Sequence, residues 1–177
     1  GIGECLRFGS TGDDIRVITT RNSTSGQSIE LEDLRSTAEN AAVADFILET
    51  VRSLVENPDT RLLASLAGGR KTMGALLYAC MTLIGREDDR LFHVLVSNPY
   101  ESSRLNPLFF FPTQDSQTLL NSNGKSVQAT DARIDLPDVP FIPLRKLFDR
   151  DLGERPGSFG ALIRNCKEGY ARDPQIK

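Results

Sequence analysis

Histidine and cysteine are scarce in this chain, and their scarcity excludes whole classes of chemistry. One histidine, His93, among 177 residues leaves no histidine-rich metal site. The three cysteines, Cys5, Cys80 and Cys166, are odd in number and scattered. They form no C-x-x-C pair and no zinc spacing. They read as free thiols of a reducing cytoplasm, with Cys80 inside an apolar helix and therefore in the core. No apolar run approaches the roughly 18 residues that cross a bilayer, and no signal-peptide pattern is visible. A cytoplasmic protein with no membrane contact is expected. An excess of positive charge is missing too: 21 Lys and Arg face 24 Asp and Glu, for a net charge of −3. That excludes a general polyanion binder, so long nucleic acid is not an expected partner. Two phosphate fingerprints are absent. A Walker A loop needs a glycine directly before its lysine and another five residues earlier; here Arg70 and Ser65 hold those places. No G-x-G-x-x-G is present either.

What is present is an ordinary globular composition, 39% hydrophobic and 25% charged, long enough for one domain or a domain with an appendage. The organising stretch is Leu62 to Met73. An apolar run ends in Gly68-Gly69, a basic pair follows, and a helical pattern begins. Glycines lack a Cβ, so the backbone can turn sharply and approach a ligand closely. Arg70 and Lys71 add positive charge at a helix start whose free N–H groups favour anions.

Around this stretch, Ile15 to Thr20 reads as a β-branched strand, and Ser28 to Glu32 as a short strand or extended lead-in. Ser36 and Glu39 form a capping-box pattern before a helix carrying Val43, Phe46, Ile47, Val51, Leu54 and Val55 at helical spacing and stopped by Pro58. Arg61 to Ala67 reads as a strand buried on both faces. Met73 to Ile84 reads as a second helix closed by Gly85, and Leu91 to Val96 as a third strand. Val127 to Leu136 alternates, and Ser158 to Glu168 reads as a last helix. Residues 1–14 are weakly patterned, with Ile2, Cys5, Leu6 and Phe8 fitting the last turns of a helix.

The order β-α-β-α-β predicts an α/β fold: a Rossmann-like, mostly parallel sheet with flanking helices and a β and proline-rich extension from about residue 100. The core is expected over residues 1–148, with a tail or helix over 149–177. Ligands of such sheets bind at the carboxyl ends of the strands. Thr19 and Thr20, the loop Gly68 to Thr72, and Ser97 to Glu101 fall at those ends and are expected to share a crevice. His93 reads as a structural histidine. The acidic pairs Asp88/Asp89 and Asp131/Asp135 read as surface turn charges rather than a Mg²⁺ site, and neither a metal nor a cofactor is expected. The run Phe109 to Phe111 reads as core or interface.

Several blocks together resemble a CRISPR-associated family of CARF type, a Rossmann-like group related to the sensor domains of type III effector ribonucleases and to the ring nucleases. They are Leu31 to Arg35, Asn40, Ser65 to Met73, Gly85-Arg86, Asp89 to Leu91, His93 to Val96, Phe110 to Pro112 and Pro140 to Arg145. The resemblance covers residues 14–148. Family members begin with a further strand-helix-strand unit, which this sequence is expected to lack or to carry on another polypeptide. The resemblance implies a two-fold homodimer whose cleft binds a cyclic oligoadenylate, the second messenger of type III CRISPR immunity. It also implies metal-free cleavage of that ring in some members. Lys71 would then stabilise charge on the phosphoryl oxygens and Arg70 would clamp a neighbouring phosphate. Gly68, Gly69, Thr72, Thr19, Thr20, Asn22, Ser97 and Tyr100 would contact the ligand. Two alternatives stay open: a non-catalytic sensor or interaction module, and an unrelated α/β enzyme of a small phosphorylated substrate.

Overall fold

The computed structural model describes residues 15–21, 25–110, 117–147 and 157–172. Asn22, Cys5 and the rest of residues 1–14, together with Phe111 and Pro112, lie outside the described residues. The chain divides into two compact units. One comprises Gly1–Thr60, Gly69–Arg86 and Pro143–Lys177, and the other Arg61–Gly68 and Glu87–Ile142.

The first unit is built on helices. Helix α1 spans Thr37–Val55 and starts as its sequence demands. The Ser36 hydroxyl accepts the Glu39 amide at 3.2 Å, while the Glu39 carboxylate accepts the Ser36 amide at 2.6 Å. Two otherwise orphaned donors are satisfied by this reciprocal pair. The Glu39 carboxylate also takes the Arg35 amide at 2.8 Å. Val43, Ala44, Leu48, Val51 and Val55 form the buried stripe of α1. Helix α2, Lys71–Ile84, packs against α1 and buries Cys80, Met81, Leu83 and Ile84. Burial pushes the Cys80 thiol up to about 12, so this core cysteine is an inert hydrophobe. Arg86, just past α2, donates to the carbonyls of Asn57 and Thr60 beyond the end of α1. Helix α3, Phe159–Arg172, packs on α1 with Leu162 and Cys166 buried. The Asp45 carboxylate of α1 accepts the Phe159 amide at 2.7 Å and so anchors its start.

The same unit holds strands β1, Thr19–Arg21, and β2, Ser28–Glu30, paired antiparallel. This corrects the expectation of a first parallel strand over residues 15–20. Gly26, before β2, is left-handed at φ 70°, and pairing with a neighbour in sequence costs less loop-closure entropy than a remote parallel pairing. Ile15 and Val17 remain exposed rather than buried in a sheet.

The second unit carries the only parallel pair among the described residues. Strand β3, Leu63–Ser65, runs beside β4, Arg90–Phe92, with Ala64 opposite Leu91. The amides of Leu66 and Arg90 extend the ladder at both ends. Here Ala64 is buried but Leu63 is 60% exposed, so β3 is covered on one face and not on both. The segment from Leu91 to Val96 is not one strand. It breaks at His93-Val94, and β5, Leu95–Val96, pairs antiparallel with β8, Ile134–Asp135. The switch is set by the returning chain: Pro137 accepts the His93 amide and Leu91 accepts the Val139 amide. A hairpin of β6, Thr118–Leu120, and β7, Ser126–Gln128, turns at Gly124. Tyr100, Leu105, Leu119 and Ala129 form a small core here, with Val96, Phe109, Val127 and Ala132 packed around it. Phe109 thus fits its reading as core, whereas Phe110 is 80% exposed. The architecture is mixed α and β with short sheets, and the described residues contain one parallel strand pair. Asp89 is also corrected: it is 4% exposed and accepts the Leu62 amide at 3.0 Å, so it holds β3 rather than decorating a turn. Among the described residues no helix is long and apolar enough to cross a membrane.

Removing the cap oxygen of α1 by Ser36→Ala leaves the Glu39 amide without its partner. Chemical denaturation is expected to show a loss of about 1 kcal/mol with an unchanged m-value.

Candidate functional site: the loop before α2

The residues between β3 and α2 form a strand-to-helix connection of unusual backbone shape. Gly68 and Gly69 both take left-handed conformations, at φ 91° and 69°. Only glycine adopts these without penalty. At Gly69 a Cβ would also stand 3.0 Å from the Met73 sulfur. Arg70 follows as the N-cap of α2, extended at φ −74° and ψ 149°, and its carbonyl accepts the Met73 amide at 2.9 Å. No side chain caps the helix, and no acidic residue lies in its first turn. The positive end of the helix dipole is therefore not offset from within α2.

The counter-charge comes from the segment before α1. Asp33 grips the Arg70 guanidinium through both oxygens. Nε and one terminal nitrogen reach Oδ1 at 2.9 and 2.7 Å, and the same terminal nitrogen reaches Oδ2 at 2.6 Å. Arg35 adds its Nε to Asp33 Oδ2 at 2.8 Å, and the Leu34 amide bonds Oδ1 at 2.7 Å. These contacts hold the Asp33 carboxyl well below the usual carboxylate range, the Arg70 hydrogen bonds acting most strongly, then Arg35 and then the Leu34 amide. The same pairing raises the pKa values of Arg70 and Arg35.

Lys71 stands apart from this network. It is the first residue of α2, it is exposed, and it makes no ion pair among the described residues. Thr72 beside it is exposed as well. The loop thus presents glycine backbone, an uncapped helix start and an ammonium group with no ion pair among the described residues, while the neighbouring guanidinium is already satisfied.

The other expected site residues belong to other elements. Thr19 and Thr20 lie in the β1–β2 hairpin, not at the end of a parallel strand. In the second unit, Ser97 is built into the ladder beyond β5: its hydroxyl accepts the Arg133 amide at 3.0 Å and its own amide donates to the Arg133 carbonyl at 2.9 Å. Tyr100 is 6% exposed, donates its hydroxyl to the Gln128 carbonyl at 2.6 Å, and packs its ring 5.2 Å from that of Phe109. Both side chains do structural work where they stand. Asp88 offers its carbonyl to Arg61, and Asp135 pairs with Arg133. The described residues contain no cluster able to hold a metal ion.

Asp33 lies in the Leu31 to Arg35 block that carries the resemblance, but the sequence assigns it no role at the site. A signal for it exists, because two cations at a helix N-terminus oppose the dipole and call for a carboxylate nearby. Which of the acidic residues answers is decided by the tertiary fold.

A mixed α/β protein with a cationic, glycine-bent strand-to-helix loop is what the fold and the site define. The family described as CRISPR-associated protein NE0113 matches residues 6–159. The chain belongs to that CRISPR-associated family, and its role lies in CRISPR immunity. No curated protein and no solved structure matches it.

The left-handed glycine and the clamped carboxylate can each be tested by stability. Gly69→Ala is expected to cost about 1–2 kcal/mol in chemical denaturation, whereas Gly160→Ala in α3, where a Cβ meets only Arg164 at 3.7 Å, stabilises. An Asp33 carboxyl whose folded pKa lies below its unfolded value of 3.8 adds stability above that pH and loses it as the pH falls toward the folded value. Asp33→Asn is therefore expected to flatten the melting-temperature profile below about pH 4 and to lower it at neutral pH. The effect is small, because the pair is partly solvated.

Proposed function

We propose that the chain is a CARF-type receptor that binds a cyclic oligoadenylate through the Gly68–Thr72 loop, in a two-fold dimer. The observation that carries this reading is the combination at the start of α2: two left-handed glycines, a helix N-terminus without a side-chain cap, and Lys71 with no ion-pair partner among the described residues. Backbone N–H groups and a lone ammonium at a helix start suit a phosphodiester anion. Membership of a CRISPR-associated family supplies the biological setting in which such a ring is the messenger.

Within this reading, holding the ring is favoured over cutting it. Cleavage would form a bond from a ribose 2′-oxygen to phosphorus and break the bond to the 5′-oxygen, the 2′ proton passing to the departing oxygen. Charge builds on the phosphoryl oxygens during that step and needs preorganised cations. Lys71 has no ion pair among the described residues, but Arg70 is held by Asp33 and supplies little net positive charge.

Titration with cyclic tetra- and hexa-adenylate tests the reading. Wild-type chain is expected to bind one of them saturably and return it intact on chromatography. Lys71→Ala is expected to weaken binding at least about tenfold, the scale of one charge-assisted contact, with an unchanged melting temperature. Equal affinity in wild type and Lys71→Ala sinks the proposal. Conversion of the ring to a linear product with a 2′,3′-cyclic phosphate by wild type, lost in Lys71→Ala, establishes the ring nuclease instead. Preference for a mononucleotide over either ring points to an α/β enzyme of a small phosphorylated substrate.

A further inference from the structure

We infer that Asp33 is the positioning residue of the anion loop: its carboxylate clamps Arg70 so that the start of α2 is rigid before any ligand arrives. This rests on the reading of Gly68–Thr72 as an anion site and adds a residue that touches no ligand.

The loop has little restraint of its own. Two successive glycines have wide backbone freedom when nothing restrains them, and no side chain of α2 caps the turn that follows. Left alone, such a loop would sample many conformations, and a ligand would have to order it at the expense of affinity. The first residue after the glycines is Arg70, the N-cap itself. Fixing its guanidinium fixes the point where the loop becomes a helix. A doubly bonded guanidinium–carboxylate pair suits this task, because its geometry is planar and directional.

Asp33 is itself tied down by further hydrogen bonds, which a clamp requires. Its oxygens are held by the Leu34 amide and by Arg35 Nε. The backbone after it is held by Glu39, which accepts the amides of both Arg35 and Ser36. The Asp33 side chain is only 24% exposed against 59% for Arg70, so the carboxylate is the sheltered, fixed partner and the arginine is brought to it. The chain of contacts runs from the capping box of α1 through Asp33 and Arg70 to the N-cap of α2.

This role has a sign that plain electrostatics does not share. Removing a carboxylate beside an anion site should tighten anion binding through Coulomb attraction alone. If Asp33 positions the loop, removing it weakens binding. The experiment uses the full chain, wild type and the variants Asp33→Ala, Asp33→Glu, Arg35→Gln and Arg70→Gln. Amide hydrogen exchange of the free protein comes first. In Asp33→Ala the Met73 amide and the rest of the first turn of α2 are expected to exchange roughly fivefold faster, with α3 unchanged. Arg70→Gln should reproduce that change, Arg35→Gln should give a smaller one because the Leu34 amide still holds Asp33, and Asp33→Glu should fall between wild type and Asp33→Ala. Cyclic tetra-adenylate is then titrated, and Asp33→Ala is expected to bind roughly fivefold more weakly despite its added positive charge. Unchanged exchange at the start of α2 in both Asp33→Ala and Arg70→Gln overturns the inference, as does tighter binding by Asp33→Ala. Should wild type bind no cyclic tetra-adenylate, the receptor reading loses its support for that ring, while the exchange data still decide whether Asp33 fixes the loop. Should Asp33→Ala fail to fold, exchange in Arg70→Gln and Asp33→Glu decides the same question: faster exchange at the start of α2 supports the clamp, and wild-type rates in both overturn it.

Discussion

The pairing of Asp33 with Arg70 joins two helix starts through residues 37 positions apart in sequence. Each start has its own problem of unpaired backbone donors. At α1 the problem is solved locally, by Ser36 and Glu39. At α2 it is not, since the sequence there offers arginine, lysine and glycine where a serine or an aspartate would cap. The fold offsets this with a carboxylate from elsewhere, yet that carboxylate reaches the guanidinium and not the helix amides. The charge is balanced while the helix start stays open, and Lys71 has no ion pair beside it among the described residues. The proposed receptor function depends on that arrangement.

The two units contribute in different ways. In the helical unit the buried stripe of α1 and the apolar surface of α2 give a platform on which the end of a loop can be fixed. In the strand unit, β3 is secured by its parallel ladder to β4 and by Asp89 on the Leu62 amide. The loop begins after one of these secured segments ends and finishes where the other begins. A left-handed backbone is needed at its two glycines.

Local signals are legible in the sequence, and long-range ones are not. The capping box at Ser36, the halt of α1 before Pro58, the glycine close of α2 at Gly85 and the last helix are written in neighbouring residues, and each is found. The strand patterns are also visible, but their partners are not. Thr19 to Arg21 reads identically whether it pairs with a distant strand or with its neighbour across Gly26, and the neighbour prevails. Leu91 to Val96 has the composition of one strand, while the returning chain at Ile134 to Val139 divides it in two. The bent loop at Gly68-Gly69 is legible because only glycine suits that backbone. Tyr100 and Ser97 look like rim residues in sequence, yet their polar atoms are committed to Gln128 and Arg133. The Asp33 clamp is hidden because a tertiary contact selects one carboxylate among the chain's 24 acidic residues.

If the loop between β3 and α2 holds a cyclic phosphodiester, the ligand must quiet the backbone there. Amide hydrogen exchange of the wild-type chain, with and without saturating cyclic oligoadenylate, measures this and locates the ligand without altering a residue. Exchange is expected to slow chiefly at Gly68 to Thr72 and through the first turn of α2. Protection confined to other segments, with exchange at Gly68 to Thr72 unchanged, would place the ligand elsewhere and refute the loop as its site.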